Sequence, residues 1–174
     1  AINDASKNWG QAVNASHVGL TSFVNPKDNA KSDFAKILEK AEKVGLKHLV
    51  IPYLQDNERA TLDHYKKVAA NANKAATMAK NAGIQLAYHN HNFEFQPTAT
   101  GKCGYDIFVD EFSPDMKFEV DVFWVKAAGI DPVTLINKLK GRVTQVHLKD
   151  LKDGLTRPKY TTGVPKAAVP RHGA

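Results

Sequence analysis

Side chains able to bind a metal or move a proton are concentrated in three short stretches of this chain. They are His89-Asn90-His91-Asn92-Phe93-Glu94, Glu119-Val120-Asp121 and His147-Leu148-Lys149-Asp150. Mixed imidazole and carboxylate donors suit Mn²⁺, Co²⁺, Zn²⁺ or Mg²⁺. Each stretch closes a run with the period-two alternation of a β-strand. In FEVDVF, Glu119 and Asp121 share one face, and Phe118, Val120 and Val122 the other. In VTQVHLK, Val143, Gln145, His147 and Lys149 share a face opposite Val146 and Leu148, and in QLAYHNH, Ala87, His89 and His91 lie together. With the apolar faces packed on helices, the polar faces point inward and converge.

Taken singly, each residue has a plainer reading. An inward histidine serves more often as a hydrogen-bonded core residue than as a ligand. Glu94 reads also as a surface loop residue, Glu119 as a partner of Gln145, and Asp121 as a salt bridge to Lys149. Asp121 is the hardest to dismiss, because an unpaired buried carboxylate is costly. His17, in SHVGL, reads equally as a strand end or a loop histidine, and His48 and His64 read as surface residues.

The elements that must position these groups alternate. LKHLVIP (46–52), IQLAYHNH (84–91), KFEVDVF (117–123) and RVTQVHL (142–148) read as strands. A helix over 34–44 has Phe34, Ile37, Leu38, Ala41 and Val44 on one side and Gly45 after its end. A longer helix over about 58–82 carries Leu62, Tyr65, Val68, Ala69, Ala72, Ala76 and Ala79, closed by Gly83. GYDIFVDEF (104–112) reads as a short amphipathic helix. Asp131-Pro132 opens another, continued by Val133, Ile136 and Leu139 and ended by Gly141. Strand–helix units at this spacing predict a parallel α/β sheet, in which active groups gather at the carboxyl ends of the strands. Residues 152–174 read as loop or extension, and the whole chain as one domain.

The segments YHNHNFEF, KFEVDVFWVKAAGIDP and GRVTQVHLKD together resemble the xylose isomerase-like TIM-barrel family. This is the sugar phosphate isomerase/epimerase group, which also contains ketose 3-epimerases, inosose dehydratases and endonuclease IV-type repair enzymes. The resemblance covers about residues 15–150. It implies a divalent metal held by Glu, Asp, His and Glu at late strand ends, with Asp121 as the Asp, His147 as the His and Glu94 as the first Glu. His89 or His91 stands as the substitute ligand or a substrate contact. Trp124 stands where epimerases and repair enzymes often carry His, which argues against a multi-zinc, DNA-repair site. A full (β/α)₈ barrel takes about 250 residues. Matched to the family, this α/β TIM barrel is incomplete: strands 1, 2 and 8, and the final metal Glu, are not recognisable.

The resemblance implies metal-assisted isomerisation or epimerisation of a sugar or sugar phosphate through an enediolate. Glu94 or His89 would be the base and Lys149 the support of the oxyanion, with His91, Trp124 and Phe93 against the sugar. A lyase or dehydratase acting on a keto-sugar or inosose would use the same groups, and a non-catalytic sugar-binding fragment is the reading from another class.

Composition narrows the remaining classes. The chain has 174 residues, one cysteine and a formal net charge of +6. One cysteine excludes an internal disulfide framework and a cysteine-rich zinc module. The lysines are scattered over helix faces, so no nucleic-acid partner is expected. The densest basic cluster, Lys138, Lys140 and Arg142, is expected at a helix end, where cations suit the dipole. No apolar run reaches the ~20 residues of a membrane helix. Neither a signal sequence nor an initiator Met is visible, so cytoplasm is the default, with periplasmic or secreted locations and a homo-oligomer left open.

Overall fold

The computed structural model describes residues 13–19 and 33–149. Five strands, β1 (Ala15–His17), β2 (His48–Ile51), β3 (Gln85–His89), β4 (Met116–Asp121) and β5 (Val143–His147), form one sheet in chain order. Every neighbouring pair is parallel, which makes half of a β/α barrel. The helices are α1 (Asp33–Lys43), α2 (Leu62–Asn81), α3 (Gly104–Glu111), α4 (Val122–Ala127) and α5 (Pro132–Lys138). None of them is long and apolar enough to cross a membrane.

Local chemistry accounts for the boundaries. The Thr61 hydroxyl caps α2 by accepting the His64 N–H, and Asp131 caps α5 by accepting the Thr134 N–H with Pro132 in the first turn. Gly45 and Gly83 follow α1 and α2 at φ +76° and +70°, a region that side chains with a Cβ avoid. Ala69, Ala72, Ala75, Ala76 and Ala79 of α2 are all buried, so that helix lies close to the sheet. Asn73 joins α2 to the end of α3: its amide donates to Glu111 O at 2.8 Å, and its Oδ1 accepts from Ser113 N at 2.8 Å. The outer faces of β3 and β4, with Leu86, Tyr88, Phe118 and Val120, belong to one apolar core together with the helices.

Five expectations need correction. Val44 lies past the end of α1 and is 51% exposed, so it does not continue that helix's apolar side. Val122 and Phe123 start α4 instead of ending a strand, because the Asp121 carboxylate caps that helix. Val146 and Leu148 do not pack: they are 46% and 78% exposed, and among the described residues no helix follows β5 to cover them. Val133 is exposed as well, and α5 buries Leu135 in its place. Arg142 is no helix-end cation. Its guanidinium donates to Val109 O and Phe112 O and lies 5.0 Å from the Phe118 ring centre, tying the approach to β5 onto α3. The short β1, outside the four strands read from the sequence, ends at His17.

Candidate metal centre at the strand ends

Parallel register sets the site. His89 of β3 lies beside Glu119 of β4, and Asp121 of β4 beside His147 of β5. Side chains two apart on a strand share a face, so these four residues project into the mouth of the half-barrel together. Asp121 is fully buried. Its Oδ2 lies 3.5 Å from His89 Nε2, 3.3 Å from His147 Nδ1 and 2.8 Å from Lys149 Nζ. Its Oδ1 accepts the Trp124 N–H at 3.1 Å. The Asn90 side chain clamps the same residue's backbone, accepting from Asp121 N and donating to Asp121 O.

The donor set fits a divalent cation. Candidate ligand atoms of His89, Asp121 and His147 all lie within 4.8 Å of one another. A tetrahedral ion with bonds of about 2.0–2.2 Å separates its ligands by roughly 3.3–3.6 Å, matching the 3.3 and 3.5 Å spacings around Oδ2. Burial and the nearby Lys149 ammonium lower the His147 pKa against the pull of Asp121, which keeps an imidazole lone pair available. A second group, His17, His89 and Glu119, adjoins the first. Burial works to raise the Glu119 pKa, but hydrogen bonds from His17 and His89 prevail and hold it at about 2. Glu119 thus pairs with histidines instead of with Gln145.

Glu94 belongs to neither group. It is fully buried, accepting from Tyr88 Oη at 2.7 Å and from the His91 N–H at 2.8 Å. Burial raises its pKa to about 7 in spite of those hydrogen bonds. Phe93 is buried, stacked with the His91 ring at 5.5 Å between centres and covered by the Arg59 guanidinium at 3.8 Å. His91 also meets Trp124 and His89, at 5.1 and 5.2 Å, and burial, then the neighbouring His89, lowers its pKa to about 3. His91 Nδ1 and Trp124 Nε1 are buried without a hydrogen-bond partner. Lys149 Nζ lies 6.0 Å from the Trp124 ring centre.

Sequence reasoning weighed Glu119 and His17 without placing them in the site, and it gave no role to Asn90 or to Tyr53, whose ring lies edge-on to His91 at 5.1 Å. For Glu119 a signal existed, since it shares the Asp121 face. For Asn90 and Tyr53 none did, because their partners come from other segments of the chain.

A family model described as the xylose isomerase-like TIM barrel matches residues 10–172. An inosose dehydratase of Lacticaseibacillus casei is 26% identical over 137 residues, which are 75% of this chain and 44% of the relative. The structure of a sugar phosphate isomerase/epimerase from Parabacteroides distasonis superposes with a TM-score of 0.71 at 26% identity, over 90% of this chain and 59% of that one. An IolI protein with a bound zinc atom shares the fold, with a TM-score of 0.64 at 16% identity over 93% of this chain and 60% of that one. The chain therefore spans about half the length of these relatives.

Proposed function

The chain belongs to the xylose isomerase-like TIM-barrel family, and on that premise we propose that its barrel mouth is a divalent-metal site for isomerising or epimerising a sugar or sugar phosphate. The observation that carries this reading is the meeting of His89 Nε2 and His147 Nδ1 on one oxygen of the fully buried Asp121. These three residues would hold the ion. When bound, such an ion polarises a carbonyl and acidifies the neighbouring C–H.

The chain's own residues supply the rest. Lys149 Nζ, 2.8 Å from Asp121 Oδ2, brings an ammonium to the edge of the cluster, where it would steady an oxyanion. His91, Phe93 and Trp124 form the aromatic wall against which a sugar ring or chain would lie. Glu94 is the general-base candidate on one ground, a pKa of about 7, the value that suits proton transfer at neutral pH. In that role it would have to exchange its Tyr88 hydrogen bond for the substrate, and as a metal ligand it would have to leave both of its present partners.

A second reading, dehydration of an inosose-like cyclic keto-polyol, draws on the match to the L. casei inosose dehydratase. Both reactions begin with loss of a proton beside a carbonyl. The test is incubation of the chain with ketose phosphates and with an inosose, with and without Mn²⁺, in deuterated water. Metal-dependent deuterium uptake at carbon with a rearranged sugar supports the isomerase, and metal-dependent loss of water supports the dehydratase. Metal binding with neither change would leave a binding module.

A further inference from the structure

We propose that Glu119, braced by His17, is a positioning residue that fixes the tautomer of His89 and aims its Nε2 at the cation site. The inference rests on the metal-site reading above for its purpose but not for its geometry. A carboxylate only accepts hydrogen bonds. The contact of 2.8 Å between His89 Nδ1 and Glu119 Oε1 therefore puts a hydrogen on Nδ1 whatever the ring's charge. In the neutral ring, Nε2 then carries the lone pair.

Two carboxylates compete for the single imidazole hydrogen, and distance decides between them. Glu119 sits at hydrogen-bond length, while Asp121 Oδ2 stands 3.5 Å from Nε2, much the longer and weaker of the two contacts. A lone pair facing a carboxylate at that separation is repulsive unless a cation lies between them. The opposite tautomer would turn a lone pair on Glu119 at 2.8 Å, a far worse contact. Glu119 thus excludes the neutral tautomer in which Nε2 carries the hydrogen and cannot ligate. Carboxylate partners are how ligating histidines are commonly oriented.

His17 completes the arrangement. Its Nε2 lies 3.4 Å from the same Glu119 oxygen, and its ring centre lies 5.6 Å from that of His89. β1 and β4 are not neighbours in the sheet, so this contact crosses the interior of the half-barrel. Glu119 itself is 8% exposed, which strengthens its hold by keeping water from competing. A tetrahedral cation on His89 Nδ1 and Glu119 would need a spacing of roughly 3.3–3.6 Å between ligand atoms, longer than their 2.8 Å contact.

The experiment is two-part, on the full chain with ¹⁵N-labelled histidine. Long-range ¹H–¹⁵N spectra of the metal-free protein at pH 8 read the His89 tautomer, and a zinc titration reads affinity and stoichiometry. The expected results are the Nδ1–H tautomer and one zinc per chain. Glu119→Ala is expected to shift His89 to the Nε2–H form or a mixture and to weaken zinc binding by about 10–100-fold. Glu119→Gln, whose amide oxygen still accepts, restores the tautomer and brings affinity back to within a few-fold of the parent. An Nε2–H tautomer in the parent chain overturns the proposal, as does a second zinc on Nδ1, or a Glu119→Ala variant that changes neither reading. If Glu119→Ala does not fold, the parent tautomer and Glu119→Gln decide. A parent chain with the Nδ1–H tautomer that binds no zinc supports the positioning role and overturns the metal-site reading alone.

Discussion

Asp121 divides its carboxylate between two tasks: Oδ1 caps α4, and Oδ2 faces His89, His147 and Lys149. Substitution should separate them. Asp121→Asn retains a cap oxygen but removes the charge, whereas Asp121→Ala loses both. Both variants are expected to lose zinc binding by calorimetry, and Asp121→Ala to be about 1 kcal/mol less stable than Asp121→Asn in urea, the usual worth of an N-cap. Equal stabilities would mean that the cap contributes nothing. Glu94 makes a pH prediction. Its pKa rises from 4.5 to about 7 on folding, so the native state binds the proton more tightly than the unfolded chain. Stability on its account is present below pH 4.5, falls as the pH rises toward 7, and is flat above. Glu94→Gln should remove this slope, because its amide can accept from His91 N–H and donate to Tyr88 Oη. The variant is expected to match its parent near pH 4.5 and to be more stable at pH 8, by up to about 3 kcal/mol. Loss of proton exchange in that stabilised variant would mark Glu94 as the base.

Among the elements, α2 and α3 are held at a separation that only glycine permits. A Cβ built on Gly104 would come within 2.3 Å of the Tyr65 ring, and Tyr65 is itself buried against Phe108 at 5.3 Å. Gly104→Ala should therefore push the ring aside and cost about 1–3 kcal/mol, the usual range for overpacking, seen as a lower urea midpoint. Where the sequence was legible, periodicity and caps carried the information: the α2 stripe ending at Gly83, the Asp131-Pro132 start of α5, and the shared face of Glu119 and Asp121. Where it was not, the determinant came from elsewhere in the chain. Alternation extends β4 through Val122 and Phe123, but the Asp121 cap turns them into helix. Val146 and Leu148 alternate like buried residues, yet alternation says which face a side chain takes and not whether anything covers it. Glu94 follows a strand end and reads as a loop or ligand residue, and only the fold brings Tyr88 Oη to it. Arg142 sits beside lysines, and only the fold brings α3 carbonyls within its reach.

At the scale of the whole molecule, a cation in the mouth would join β3, β4 and β5, the last of which has one face exposed. Binding to the folded form alone adds stability by mass action, about 2.7 kcal/mol at a hundredfold excess over Kd. For a chain of this size that raises Tm by roughly 5–10 °C. Calorimetry is expected to read this rise with zinc or Mn²⁺ and its reversal by EDTA, and an unchanged Tm with bound metal would mean that the unfolded chain binds equally well. The strand order has a consequence for synthesis. Because β1 to β5 pair strictly in chain order, each strand after β1 meets, on leaving the ribosome, a partner already made. Growth by such addition keeps loop closures short. The proposed ligands would then arrive in sequence, His89 with β3, Asp121 with β4 and His147 with β5. Until β5 docks, the nascent sheet would hold only part of that proposed set, so among the described strands β5 would time the capture of an ion.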